Sequence, residues 1–248
     1  MKIEKYKKTT KSRYKILLDD GRELLLYEEV ILQFELLLKK EILEKEILTI
    51  ELANQECDVY HVALDSINHR FKSIYDTKEF LIKKEYPEEM IDKALDKLIK
   101  QGYLNDRSFA KSYINNQIIT TNKGPYKIKK ELNEHRVDND IIDEELTIFN
   151  QEQQLEKIEK VATRLFKTNR NRGGFVLKKK MINDLVNLGY DLTVITKVIE
   201  EFDFSNNKDI AAKEYEKLYR KLSRKYEGKE LEYKIKEKLY QKGLYYED

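Results

Sequence analysis

The sequence predicts a mainly α-helical fold: tandem three-helix repeats in an elongated, curved array, with a small N-terminal β-hairpin and helix module. Three observations predict it. Glycine and proline are scarce, 8 and 2 in 248 residues, so strands and turns cannot dominate. Charged residues reach 38% against 40% hydrophobic, a balance that suits small stacked units better than one globule. A spacing pattern also recurs along most of the chain.

The first 52 residues form the mixed module. Residues 3–8 and 13–18 read as short strands. Asp20-Gly21 reads as a hairpin turn into a third strand over 24–27, because glycine tolerates the positive φ of such turns. Short helices are expected over 28–38 and 44–55.

Beyond that module, four segments place a leucine five residues before an apolar residue: Leu81/Tyr86, Leu132/Val137, Leu185/Tyr190 and Leu239/Leu244. The second members lie 51, 53 and 54 residues apart. In the first three, apolar pairs follow at offsets of four and five: Met90-Ile91, Ile141-Ile142 and Val194-Ile195. Further residues at offsets of eight and nine share that helical face. Each unit therefore has a first helix (58–73, 106–120, 151–168 and 208–226), a middle helix and a third helix. The divisions are 53–105, 106–149, 150–206 and a partial fourth repeat, 207–248. Glycines agree with these divisions. Gly124, Gly173-Gly174 and Gly228 precede middle helices, and Gly189 and Gly243 close them. Pro87 and Pro125 stand at helix starts, where a missing N–H costs nothing.

Composition excludes several function classes. The net charge is only +2, so any electrostatic argument must be local. The lone Cys57 excludes an internal disulfide and fits a reducing cytoplasm. Neither a signal peptide nor a membrane span is expected. His61, His69 and His135 match no zinc spacing, and Cys57 four residues from His61 reads as structural. Gly173-Gly174 lacks the Lys-Ser/Thr of a phosphate loop, and no nucleophile motif occurs. No catalytic, metal or cofactor residue is therefore assigned, and a non-enzymatic monomer without cofactor is expected.

Two stretches carry a resemblance. One is Gly102-Tyr103-Leu104-Asn105-Asp106 with Phe109-Ala110 and Tyr113; the other is Gly124-Pro125 with Ile128 and Glu131-Leu132. In order and spacing this second-repeat signature resembles the RecX family, cytoplasmic regulators that bind the RecA recombinase filament. The resemblance is clearest over roughly 58–205. It departs from the family at His135-Arg136-Val137, where a glycine usually precedes the apolar residue, and at Arg70–Ser73, a loose version of a basic-serine stretch. It implies a partner, RecA on single-stranded DNA, and an altered course of filament growth, ATP hydrolysis and strand exchange. Contacts to single- or double-stranded DNA would accompany that role. The signature itself reads as structural. Asn105 or Asp106 caps the next helix, and Phe109 and Tyr113 pack on Ile128 and Leu132.

Three basic clusters are candidate contacts. Arg164, Lys167, Arg170, Arg172, Lys178, Lys179 and Lys180 form a run with no acidic residue, bracketing Gly173-Gly174 beside Phe175. Lys179 and Lys180 are expected to be exposed, with Lys178 nearer the apolar stripe. Lys123, Lys127, Lys129 and Lys130 form the second cluster, with Lys127 and Lys130 expected in solvent. Lys2 to Lys15 is the third, seven basic residues against Glu4. The bland reading of each is a solvated face. The rival functional reading is a DNA- or RNA-binding helical module that needs no RecA.

Overall fold

The computed structural model describes residues 1–9, 12–205 and 207–245. Its chain divides into two compact units, Met1–Phe109 with His135–Val137, and the described residues from Ala110 on without those three.

In the first unit, β1 (Ile3–Lys8), β2 (Arg13–Leu18) and β3 (Glu23–Tyr27) form an antiparallel sheet in that order. Tyr6 pairs with Ile16, and Ile16 with Leu24. Alternation turns Ile16, Leu18, Leu24 and Leu26 onto a core shared with Val30, Ile31, Leu36, Ile47 and Ile50. The helix expected over 28–38 stops early. α1 is Glu28–Gln33, and Glu35 takes a positive φ of 54°, which turns Leu36 into the core.

A larger correction concerns the two helices expected over 44–55 and 58–73. They are one helix, α2 (Glu44–His69). No glycine or proline interrupts it, and it serves two cores along its length. Ile47 and Ile50 pack under the sheet, while Val59, Ala63 and Ile67 pack against the next two helices. The expected divide at 52/53 therefore falls inside α2. The helix ends at His69 rather than 73 because Ser73 caps α3 (Ile74–Ile82). Its hydroxyl accepts from the Asp76 amide at 3.0 Å, and the Ser73 amide donates back to the Asp76 carboxylate at 3.4 Å. α4 (Glu88–Lys100) completes the first three-helix set.

The following sets are α5 (Asp106–Thr120), α6 (Pro125–Glu134) and α7 (Asn139–Leu146), then α8 (Gln151–Thr168), α9 (Gly174–Asn187) and α10 (Leu192–Ile199). α11 (Asn207–Leu222) and α12 (Gly228–Gln241) follow; α11 ends four residues before the expected 226. No helix among the described residues is long and apolar enough to cross a membrane.

The leucine-plus-five spacing has a backbone cause. Glu85, Arg136, Gly189 and Gly243, each just before an apolar residue of the pattern, all have positive φ, 63°, 57°, 90° and 71°. At three of the four ends the hydrogen bonds of a Schellman motif are present. The amides of Tyr86, Tyr190 and Leu244 donate to the carbonyls of Leu81, Leu185 and Leu239 at 3.5, 3.3 and 2.9 Å. Each such bond lays the apolar residue beside the leucine five positions earlier. Arg136 takes the left-handed conformation without being glycine, so the departure at His135-Arg136-Val137 keeps the left-handed residue of the pattern.

Within the second unit, middle helices of successive sets also meet end to end. The Gly124 amide donates to the Leu188 carbonyl at 2.7 Å, and the Gly173 amide to Lys242 at 2.8 Å. A Cβ at Gly124 would lie 2.5 Å from the Gly189 carbonyl, and one at Gly173 would lie 2.0 Å from the Gly243 oxygen. In the first unit, side chains hold the start of α3. His135 Nδ1 lies 2.8 Å from the Asp76 carboxylate, and the Asp106 carboxylate accepts from the Ile74 amide at 2.8 Å.

Tyr190 adds an anomaly. Its side chain is buried, and its hydroxyl has no hydrogen-bond partner among the described residues. Burial pushes its pKa up to about 12. An unpaired buried hydroxyl costs on the order of 1–3 kcal/mol. Tyr190→Phe is therefore expected to leave the thermal midpoint unchanged or raise it. A lowered midpoint in a thermal melt would mean the hydroxyl is satisfied in solution.

Candidate interaction surface

The signature residues take the structural roles their chemistry favours, with one rearrangement. Asn105 accepts from the Ser108 amide at 3.0 Å and so caps α5, whereas Asp106 reaches back to cap α3. Burial raises the Asp106 carboxyl above its ordinary value, against the hydrogen bond from Ile74. Phe109 is buried, with ring partners Phe71 at 6.4 Å and His135 at 5.3 Å. Leu104, Ala110, Ile128 and Leu132 are buried, while Tyr103 is exposed. The Tyr113 hydroxyl donates to Glu131 at 3.0 Å, and burial pushes it up to about 12. Gly102 has a φ of 77° at the end of α4. The contacts given for these residues are capping and packing contacts.

The first basic cluster surrounds the turn from α8 into α9. Arg164 and Lys167 lie opposite the buried Ile158, Val161 and Ala162 of α8, and both are exposed. Arg170 is exposed and Arg172 half-buried. Both line a cavity of about 620 Å³ together with Phe166, Phe204 and Lys213. Gly173 caps α9, whose first turn holds no acidic residue, so the positive end of its dipole adds to the cationic field. Phe175 is 80% exposed there. Lys179 is exposed and Lys178 half-buried, as the helical wheel predicts. Lys180 differs: it is half-buried and paired with Asp184 at 2.7 Å, one turn on, so its charge is already met. Arg164, Lys167, Arg170, Arg172 and Lys179 have no acidic partner within 4 Å among the described residues. Acidic groups do line the cavity. Asp203 is held below the ordinary carboxylate range by hydrogen bonds from Ser205, and buried Glu214 pairs with Lys242 at 2.5 Å.

The second cluster is weaker than its sequence promises. Lys123 pairs with Glu131 at 2.8 Å and Lys129 with Asp143 at 2.5 Å. Lys127 is half-buried rather than exposed, because its backbone abuts Gly189. Lys130 alone of the four is exposed and without an acidic partner among the described residues. In the N-terminal stretch, Lys2, Arg13 and Lys15 pair with Glu41, Asp58 and Glu23. Lys5, Lys7 and Lys8 are exposed, and Lys11 lies outside the described residues.

Sequence reasoning missed one surface. Lys213, Lys217, Arg220, Lys221 and Arg224 line a shallow groove along α11. Their spacing of four, three, one and three residues was a helical-face signal, but interleaved Glu214 and Glu216 masked it. Lys213 lines both this groove and the Arg170–Arg172 cavity. His61, by contrast, is occupied structurally: its ring stacks on Tyr27 at 4.5 Å, and Nε2 lies 2.9 Å from Glu29.

Comparison with known proteins agrees with this architecture. Residues 105–146 match the family model described as RecX, second three-helix domain. A Regulatory protein RecX from Listeria monocytogenes serotype 4a is 33% identical over 241 residues, covering 96% of this chain and 89% of the relative. One from Limosilactobacillus reuteri is 32% identical, covering 100% of this chain and 94% of the relative. A solved structure titled Crystal structure of regulatory protein RecX superposes with a TM-score of 0.71 at 31% identity. It covers 80% of this chain and 98% of its own. Identity at this level across nearly the whole of both chains, joined to the same helical fold, places the chain in the RecX family of regulatory proteins.

Proposed function

We propose that this protein is a non-enzymatic cytoplasmic regulator that binds the RecA–DNA filament and thereby modulates recombination, DNA repair and the SOS response. Family membership supports the RecA partner. The observation that carries the contact surface is the set of exposed, unpaired cations at the α8–α9 turn, Arg164, Lys167, Arg170 and Lys179, beside exposed Phe175. Unpaired like charges held together repel, and a partner rich in phosphate relieves that repulsion. The protein acts as a monomer, and weak contacts on its linked helical sets sum by avidity.

Reversing Arg164, Arg170 and Lys179 to Glu should leave helical content and thermal midpoint nearly unchanged, because all three side chains lie in solvent. Binding to RecA filaments, measured by co-sedimentation, should weaken at least ~10-fold, or about 1.4 kcal/mol. The wild-type affinity should fall by about 0.7 log units per tenfold salt for each single-strand phosphate met. A folded variant that binds and regulates filaments like the wild type would reduce the run to a solvated face.

A further inference from the structure

The described part of the fourth unit, residues 207–245, carries twelve Lys and Arg against seven Asp and Glu, while the whole chain carries only +2. The same segment holds six of the 17 tyrosines. On α12 these two residue types share a face. Leu231, Ile235 and Leu239 form the buried stripe. Lys229, Tyr233, Lys236 and Tyr240 follow one another at intervals of four, three and four residues. On a 3.6-residue wheel they fall within roughly 60° of arc, on the side away from that stripe. Ring and ammonium alternate along about 16 Å of helix axis.

All four side chains are exposed. Tyr233 is 66% and Tyr240 68% exposed, and Tyr245, 73% exposed, meets Tyr240 edge-on at 5.9 Å. Tyr233, Lys236, Tyr240 and Tyr245 line one groove of about 450 Å³. The edge-on contact covers one face of one ring, and the Lys234 ammonium lies 5.6 Å from the centre of the Tyr233 ring; the remaining ring surface is open to solvent. Glu237, the acidic residue in that groove, is paired with Lys234 at 3.2 Å. Lys229 and Lys236 have no acidic partner within 4 Å among the described residues. Open aromatic faces alternating with free cations match a ligand that alternates flat rings with negative charges. A duplex offers the phosphates but keeps its base faces stacked. An acidic peptide would use the ammonium groups and leave the rings idle.

We propose that Lys229, Tyr233, Lys236, Tyr240 and Tyr245 form a binding platform for single-stranded nucleic acid, with bases stacking on the tyrosines and phosphates meeting the lysines. This platform uses residues other than those of the α8–α9 turn and needs no RecA to bind.

The test is fluorescence anisotropy of the full chain with a labelled 20-nucleotide oligothymidylate and with a duplex of equal length, without RecA or nucleotide. The wild type should bind the single strand more tightly than the duplex. Tyr233→Ala with Tyr240→Ala should weaken single-strand binding at least tenfold and duplex binding less than threefold. The Tyr→Phe pair, which keeps both ring faces, should stay within twofold of wild type. Lys229→Gln with Lys236→Gln should flatten the salt dependence. If loss of the Tyr240–Tyr245 contact unfolds the double variant, Tyr233→Ala alone should still weaken single-strand binding severalfold. The platform is overturned if the wild type fails to bind the bare strand, or if the alanine variants bind it like wild type. It is equally overturned if phenylalanine loses as much as alanine, or if duplex binding falls in parallel. Filament co-sedimentation of the same variants separates the outcomes: loss of bare-strand binding with RecA binding retained leaves the regulatory role intact.

Discussion

Gly189→Ala should unfold or severely loosen the second unit, costing at least about 3 kcal/mol, whereas Gly102→Ala should cost only about 1–2 kcal/mol. Both glycines have left-handed backbones, φ 90° and 77°. Any L-residue carries the same penalty in that conformation, on the order of 1–2 kcal/mol. They differ in what a methyl group would meet. At Gly102 nothing lies within 4 Å. At Gly189 the new Cβ would lie 2.4 Å from the Lys127 nitrogen and 2.7 Å from its Cβ. Those are atoms of α6 itself, so relief requires the α6 start and the α9 end to separate. Separation would break the hydrogen bonds from Gly124 to Leu188 and from Tyr126 to Gly189, at 2.7 and 3.0 Å. Gly173→Ala should behave like Gly189→Ala despite its ordinary φ, because its Cβ would strike the Gly243 oxygen. Thermal melts by circular dichroism decide the matter. If Gly189→Ala melts at the same temperature as Gly102→Ala, the close joint between the middle helices does not persist in solution.

The middle helices were the legible part of the fold because one physical device produces their pattern. A Schellman turn needs an apolar residue five positions after a leucine and a left-handed residue between them, and both requirements are local. What those glycines touch was not legible. Nothing in the sequence pairs Gly124 with Gly189 across 65 positions. The continuity of α2 was also hidden. Its apolar residues turn to one core up to Cys57 and to another from Val59 on, so its two halves read as separate helices. The basic run is visible in the sequence by the absence of acidic neighbours. Its internal pairing was not, since Lys180 finds Asp184 on its own helix and Lys123 finds Glu131 across a turn. The α12 platform escaped because tyrosine at helical spacing usually signals packing. Only solvent exposure separates Tyr233 and Tyr240 from a buried ring such as Tyr190.

Asp58→Ala should cost the first unit about 2–4 kcal/mol, the range expected when one member of a half-buried charged network is removed. Asp58 stands on α2 where the N-terminal core gives way to the first helical set. Its carboxylate accepts from Arg13 of β2 at 2.5 Å, from the Tyr27 hydroxyl at 2.8 Å and from the Tyr86 hydroxyl at 2.7 Å. One side chain thus ties the sheet to the Schellman end of α3. Burial pushes the Asp58 carboxyl up, but hydrogen bonds from Tyr86 and Tyr27 and the Arg13 charge outweigh it and hold it below the ordinary range. Burial and the Asp58 carboxylate help push Tyr27 and Tyr86 up to about 12. Alanine would leave the Arg13 cation and two hydroxyls without their acceptor. The loss would be partial for Arg13, whose guanidinium also lies 4.2 Å from the centre of the Tyr27 ring. Asn keeps an oxygen acceptor but no charge, so Asp58→Asn should lose less than alanine. The pH dependence follows from the direction of the shift. A carboxyl depressed in the folded state contributes stability that is complete above its unfolded pKa of about 4 and fades as pH falls through the lower folded value. The gap in stability between wild type and Asp58→Ala should therefore be widest at neutral pH and close as the pH drops below about 4. Urea titrations at pH 7 and at low pH measure both gaps. Equal gaps at the two pH values would mean that Asp58 acts through packing alone and that its charge does not hold sheet and helices together.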